Sequence, residues 1–599
     1  MKGNNRHHRP RYPYGSIYIW ILCGVFCITG GPAFAAYLEN VPVTLTQPDG
    51  TVIECLATGD EYYNWVHDKD GYTIVQNPTT GYYCYAILQG DELVASQYVV
   101  GKTNPLNTSL KPHVNISTEK ISIQRESVMQ NMQKKVPQSA ARSTNNPFVG
   151  TLNNIVVYIR FKDQTEFPAE QTKYTSMFNS ETGNSMKNYF REISYKKLTI
   201  SSHFYPTNNG TTILSYQDSH ERNYYCPYSA TNTDGYMNTS EREEREHDLL
   251  AKAINYIKNQ IPASLNLDCN NDGYVDNICF IVKGGTIGYS SLLWPHQWNL
   301  YTKAITLNGK QVSDYNFQLQ EYLNQYENAV LCHEMGHTCG APDLYHPNHD
   351  AYPVGHWDIM ALHTNTPQYM GAYLKYKYTK WIDNMPSITT PGIYTLNPLS
   401  ASTNNCYKIP LDGTTEYLVL EYRQCGGTFE TAGNSISNGL LIYRINEKYN
   451  GNVNGKGYGG ASDEVYIFRP GEIFSTQGYL SKANFSNTYK RSEFNKSTDP
   501  KCFMSDGSIK DIYIKDIKEN ANGTLSFGFS YCGNDDKIFA NTSSLPNNTN
   551  VQGSIRTTGT VVVNATDNVV FKATDYVELG TGFEVKEGGT LTVNVTSCK

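Results

Sequence analysis

The spacing of apolar residues changes repeatedly along the chain, and each change marks a segment boundary. An unbroken apolar run, Ile17 to Thr29, comes first. Val41-Pro42-Val43-Thr44-Leu45 then alternates, as a half-buried strand does. Gln47-Pro48-Asp49-Gly50 is a turn, and hairpin-like stretches follow near Tyr72–Val75 and Gly81–Leu88. From Lys120 to Asn146 the apolar period is lost among Gln, Lys, Ser and Arg, and Gln138–Ser143 reads as an exposed, cleavable linker. Residues 36–145 are therefore expected to form a β-rich module of their own.

From residue 146 strands and helices alternate. Ile155–Phe161 and Ile278–Val282 have the β-branched content of buried strands, Leu198–Tyr205 alternates, and Met186–Tyr195 has helical spacing. Ser240, with Glu243 three residues on, predicts a capping box. The helix behind it carries the stripe Leu249, Leu250, Ala253, Ile254, Ile257 and Ile261. An α/β (α+β) domain is expected over 146–385. Beyond it the helical stripes vanish. Tyr417–Tyr422, Leu440–Ile445 and Glu464–Phe468, set among Gly, Asn and Ser loops, predict an all-β sandwich-like domain over 386–535. Short strands at Thr558–Val563, Val569–Lys572, Tyr576–Leu579 and Thr590–Val595 predict a small C-terminal β module over 536–599, solenoid-like but without an evident sequence repeat.

The length, 599 residues, suits this multidomain reading at roughly 150 residues per domain. Lys+Arg is 49 against Asp+Glu 56, a net charge of −7, so the chain lacks the basic surplus of a nucleic-acid binder. Lys2, Arg6, Arg9 and Arg11 precede the first apolar run, and Ala33-Phe34-Ala35 follows it. This is the pattern of a cleavable signal peptide, 1–35, with a run shorter than the roughly 20 residues that span a bilayer. The mature chain is expected to be secreted or extracytoplasmic, with no transmembrane segment. Two of the 14 cysteines lie in that signal, and the remainder can form disulfides outside the cell.

The chemistry concentrates in His333-Glu334-Met335-Gly336-His337-Thr338-Cys339-Gly340-Ala341-Pro342-Asp343. Histidines four apart on a helix share one face and can share a zinc ion, and a glutamate after the first can serve as general base. Gly340 can stop the helix and Pro342 stiffen the turn, bringing Asp343 back as a third ligand. His346 and His349 lie close enough to compete for that place. Cys332 and Cys339 would be about 10 Å apart along a helix, too far for the roughly 7 Å a disulfide allows.

The pattern H-E-x-x-H-x-x-G-x-x-D resembles that of metzincins with Asp replacing the third His. His333–His337 through Pro342-Asp343-Leu344-Tyr345, together with Val354-Gly355-His356-Trp357-Asp358-Ile359-Met360-Ala361, resembles the immune inhibitor A group of secreted bacterial zinc metalloproteases. The resemblance implies a metzincin-like catalytic domain, with Met360 as an apolar floor beneath the zinc and residues 36–145 as a propeptide. The Tyr that many metzincins carry two residues after the Met is here Leu362, and Tyr369 or Tyr373 could stand in for it. Within the propeptide, Cys55 either blocks the zinc as a thiolate or pairs with Cys84, and Asp60 or another acid could block it instead.

Asp268, Asn270, Asp272 and Asp276 have EF-hand-like spacing around Gly273, but position 12 is Cys279. They form either a calcium loop or an Asx-rich turn. The expected activity is that of a secreted zinc endopeptidase on protein or peptide substrates, with Glu334 as base and zinc on His333, His337 and Asp343. Calcium is a second candidate ion, and the C-terminal β modules are candidates for cell-surface association. The rival classes are a non-catalytic exported adhesin or binding protein with a vestigial metal site, and a zinc hydrolase of non-peptide substrates.

Overall fold

The computed structural model describes residues 38–596 apart from 61–62, 136–146, 169, 208–209, 287–291, 348–349, 412, 432–435, 472–475, 532 and 534. The expected signal peptide, the linker Gln138–Ser143 and the rival ligand His349 lie outside the described residues.

Residues Leu38 to Val99 make a six-stranded antiparallel meander in sequence order. Its inward residues Val41, Val43, Leu45, Ile53, Cys55 and Ala57 join one core with Ile155, Leu249, Ile254, Phe280 and Tyr315 of the next segment. Cys55 and Cys84 are both free, on strands separated by two others, so they do not pair. Much of the polar stretch that begins at Lys120 is a helix, Thr118–Lys135. Its sequence hides it because, among the described side chains, the buried positions hold an aliphatic residue and a charge. Ile121 and Arg125, one turn apart, are both buried.

The segment from 146 is a layered α/β unit, as its alternation predicts. A mainly parallel sheet runs in the order His296–Asn299, Asp314–Leu319, Ile278–Val282, Gly150–Arg160, Leu198–Tyr205, and only His296–Asn299 is antiparallel to its neighbour. The central strand Ile278–Val282 is buried on both faces, the usual state of a parallel strand. The helix Met186–Ile193 is capped by Ser185, whose side chain accepts the Asn188 N–H. The helix Thr239–Ile257 begins one residue earlier than Ser240. Asn238 is its cap, accepting the Glu241 N–H at 3.0 Å, and Glu241 reaches back to the Met237 N–H at 2.7 Å. Glu243 is buried instead of capping.

Two antiparallel sheets follow. One holds Gly392–Leu396, Leu525–Ser530 and Tyr513–Glu519. The other holds Cys406–Pro410, Tyr417–Arg423, Gly439–Ile445 and Val465–Ile467. Leu396, Leu418, Leu420, Ile514 and Phe527 form the core between them, which makes the pair sandwich-like. The alternate residues of the four-stranded sheet, Val419, Leu441, Tyr443 and Ile445, pack in one cluster with Met335, Trp357, Ile359 and Met360. That sheet is thus buried on both faces, one of them against the segment that carries the zinc motif.

The C-terminal module is a parallel two-faced solenoid. Ile555 registers with Val577, Val561 with Phe583 and Asn568 with Thr590, a 22-residue step, while the first turn, Lys537 to Ile555, is shorter at 18. Phe539 and Phe571 stack inside it with centroids 5.4 Å apart. The repeat lives in register and burial, not in residue identity. No described helix is long and apolar enough to cross a membrane.

Candidate metal centre

The motif lies on the helix Ala329–Thr338, whose residues are almost all buried. The helix stops in a Schellman turn. Ala341 N–H donates to Gly336 O at 3.0 Å and Gly340 N–H to His337 O at 2.8 Å, with Gly340 at φ +94°. This reversal brings Asp343 back against the helix. Asp343 Oδ1 lies 3.3 Å from His333 Nε2 and 3.1 Å from His337 Nε2, and the two Nε2 atoms are 3.0 Å apart.

The other face of each imidazole fixes its tautomer. His333 Nδ1 meets Ile359 O at 2.9 Å and His337 Nδ1 meets Ala341 O at 2.8 Å. A carbonyl only accepts, so both Nδ1 atoms carry hydrogen and both Nε2 atoms turn lone pairs toward Asp343. Three electron-rich atoms around one point repel unless a proton or a metal cation lies between them. A tetrahedral zinc with bonds of about 2.0–2.1 Å separates its ligand atoms by about 3.3 Å, close to the three edges seen here. Burial works against a charged His337, yet Asp343 outweighs burial and lifts it to about 9, so a metal ion at this point would take the place of a proton on that imidazole. The donor set therefore fits zinc.

Glu334 completes the group. The ligand atoms of His333, Glu334 and His337 lie within 4.8 Å of one another. Glu334 is 1% exposed, and its Oε1 has no hydrogen-bond partner. Burial pushes its pKa up. A buried carboxylate with an unused oxygen beside three donors is placed to handle a proton. Met360 is fully buried against the helix, where a Cβ on Gly336 would come within 2.6 Å of its Sδ. Its own carbonyl accepts the Leu344 N–H at 2.8 Å. The segment Ile359–Met360 thus orients one histidine and pins the ligand turn.

The other expectations divide. His346 is not at the triangle. It is held between Asp350 and Asp463 at 2.7 Å each. Tyr369 and Tyr373 do not replace the missing tyrosine, because their hydroxyls donate to Glu192 and Glu464. Cys332 and Cys339 are buried and not joined by a disulfide. Cys55 is no ligand among these residues, and burial pushes its thiol up to about 12, away from thiolate chemistry. Asp268, Asn270, Asp272 and Asp276 do converge. Asp268 accepts the Asp272 and Gly273 N–H groups and the Lys310 ammonium at 2.6 Å, Asp272 accepts the Tyr274 N–H, and Asp276 accepts the Cys269 N–H. Those are the hydrogen bonds of an Asx-rich turn.

One functional contact has no signal in the sequence. Arg125, from the helix Thr118–Lys135, donates to the outer oxygen of Asp343, with Nη2 2.9 Å from Oδ2. Its Nη1 lies 3.4 Å from Asp60 Oδ2. The Arg125 and Asp343 side chains are each 6% exposed. Asp60 thus meets the centre through Arg125. A single arginine in a polar stretch looks like any solvated charge.

No known family model matches the chain, and no curated protein matches it in sequence. Two crystal forms of wild-type OgpA from Akkermansia muciniphila are similar at 10% and 11% identity. They cover 66% and 52% of this chain and 96% and 93% of their own, with a TM-score of 0.23 in each. A likeness of that size carries no argument.

Proposed function

We propose that this chain is a zinc-dependent endopeptidase of the kind its motif resembles, the immune inhibitor A group, exported through the signal sequence at its start. The observation that carries the reading is the triangle of His333 Nε2, His337 Nε2 and Asp343 Oδ1 with the unpaired Glu334 carboxylate beside it. A zinc ion held there supplies Lewis acidity toward a scissile carbonyl and acidifies a water at neutral pH. Glu334 accepts the proton of the attacking water and returns it to the leaving amine nitrogen. The Ile359 and Ala341 carbonyls keep both imidazoles in the tautomer that binds metal, a role that outer-shell partners commonly fill.

With its N-terminal module attached, the proposed enzyme is latent. The N-terminal module shares its core with the catalytic layer and sends Arg125 into the centre, so activation requires a cut in or near residues 136–146 and release of the module. Glu334 donates no ligand atom to the triangle, and this separates the protease from a metal-binding adhesin. With the module removed by limited proteolysis, Glu334→Gln is expected to retain zinc and lose casein cleavage, by about 10²-fold or more. Cleavage that survives in Glu334→Gln, or its persistence in a zinc chelator, contradicts the reading.

A further inference from the structure

Asp343 comes from neither a helix nor a strand. It ends a turn, where a carboxylate swings freely unless its backbone is held. Met360 O holds the turn at the Leu344 N–H, and the carbonyls of Asp343 and Leu344 are held by the sandwich domain. The Asn452 N–H donates to Asp343 O at 2.9 Å, and Asn452 Nδ2 donates to Leu344 O at 3.1 Å. The same Nδ2 donates to Val465 O at 2.8 Å, and Asn452 Oδ1 accepts the Val465 N–H at 3.0 Å. Asn452 is fully buried and spends its whole amide on these contacts. It ties the ligand turn to the strand Val465–Ile467.

The residue before it is made for this approach. Gly451 has φ +69°, and a Cβ there would lie 2.5 Å from Asp343 O and 2.9 Å from Pro342 Cβ. Farther along the same loop, Asp463 takes His346, three residues past the ligand, at 2.7 Å. The ligand turn is thus gripped at Asp343, Leu344 and His346 by one loop of another domain.

We propose that Asn452, seated by Gly451, is the positioning residue of the metal centre. By fixing the Asp343–Leu344 backbone it sets where the third ligand's carboxylate lies, so the sandwich domain is part of the catalytic unit. This rests on the zinc reading above. Arg125 restrains the same carboxylate from its outer oxygen, but it belongs to the module that leaves on activation. The Asn452 bracket stays. Outer-shell partners of this kind are worth about 10–100-fold in metal affinity.

The test is zinc affinity of the full chain, measured by competition with a chromophoric chelator. The set is the wild type, Asn452→Ala, Asn452→Asp, Gly451→Ala, Asp343→Ala and the double variant Asp343→Ala/Asn452→Ala. Asn452→Ala is expected to weaken zinc binding by about 10–100-fold, and Asn452→Asp, which keeps the volume but loses the Nδ2 donors, by a similar factor. On the Asp343→Ala background the same change should cost almost nothing, since its route to the metal is gone. Unchanged affinity in Asn452→Ala, or an equal loss with and without Asp343, overturns the positioning role. If Asn452→Ala lacks a cooperative thermal transition, Asn452→Asp and Gly451→Ala decide by the same criteria. A wild type that binds no zinc overturns the metal reading itself, and that result is distinct from a wild type that binds zinc beside indifferent variants.

Discussion

Replacing Arg125 with alanine in the unprocessed chain should convert a latent enzyme into a leaky one. The guanidinium and the Asp343 carboxylate are 2.9 Å apart, each with a side chain 6% exposed, and Asp60 stands on the other side of the arginine. Breaking a buried pair of this kind costs about 3–5 kcal/mol. Part of that falls on the fold of the N-terminal module and part on the docking of its helix over the centre. Even if only about 1.4 kcal/mol falls on docking, the open population rises about tenfold, and the whole amount would raise it about a thousandfold. The assay is hydrolysis of a quenched fluorogenic peptide by protein whose N-terminal sequencing shows the 136–146 segment intact, normalised to the rate after limited proteolysis. Arg125→Ala should be at least about ten times more active than the unprocessed wild type, with Arg125→Lys between them because it keeps the charge but loses the forked geometry. An unprocessed Arg125→Ala as silent as the wild type, or an unprocessed wild type already at full rate, refutes the reasoning.

Three further outcomes follow from contacts already described. Cys55→Ser should leave latency unchanged, because the buried thiol is not at the metal face; loss of latency in the peptide assay would restore a cysteine block. His346 is raised to about 9 by Asp463 and Asp350 despite its burial, so its contribution to stability is complete below about 6.5 and is lost as pH rises through about 9. The loss should be of order 3 kcal/mol in denaturant unfolding, and it should disappear in His346→Gln; identical pH profiles for the two proteins would contradict it. Gly336→Ala places a methyl against the Met360 sulfur and should cost about 1–3 kcal/mol in the same assay, whereas an unchanged midpoint would mean that Met360 does not pack there.

The candidate centre was legible because it is local. His333, Glu334, His337 and Asp343 lie within one helix and the turn that ends it, so helical spacing and one glycine suffice to bring them together. What surrounds them is not local. The carbonyl that orients His333 comes from Ile359, the ion pair on Asp343 from Arg125, and the backbone bracket from Asn452, and no periodicity links such positions. The fold divides in the same way. Ile278–Val282, Leu198–Tyr205 and Thr590–Val595 are strands over the residues their patterns mark. The helix Thr118–Lys135 has no legible apolar stripe because, among its described side chains, the buried ones are Ile121 and a charged Arg125. The cap moved from Ser240 to Asn238 because asparagine and serine compete equally for that position, and Glu241, not Glu243, stands three residues after the one chosen. Tyr369 and Tyr373 are candidates by proximity in sequence, and glutamates from distant segments, Glu192 and Glu464, accept their hydroxyls.

The central claim is a zinc ion on two imidazoles and a carboxylate. X-ray absorption at the zinc edge on the purified chain addresses it most directly. One zinc per chain with two histidine nitrogens and oxygen neighbours at about 2.0–2.2 Å is the result predicted, and His337→Ala should remove one nitrogen scatterer. No bound zinc, or a sulfur neighbour at about 2.3 Å, would contradict the account.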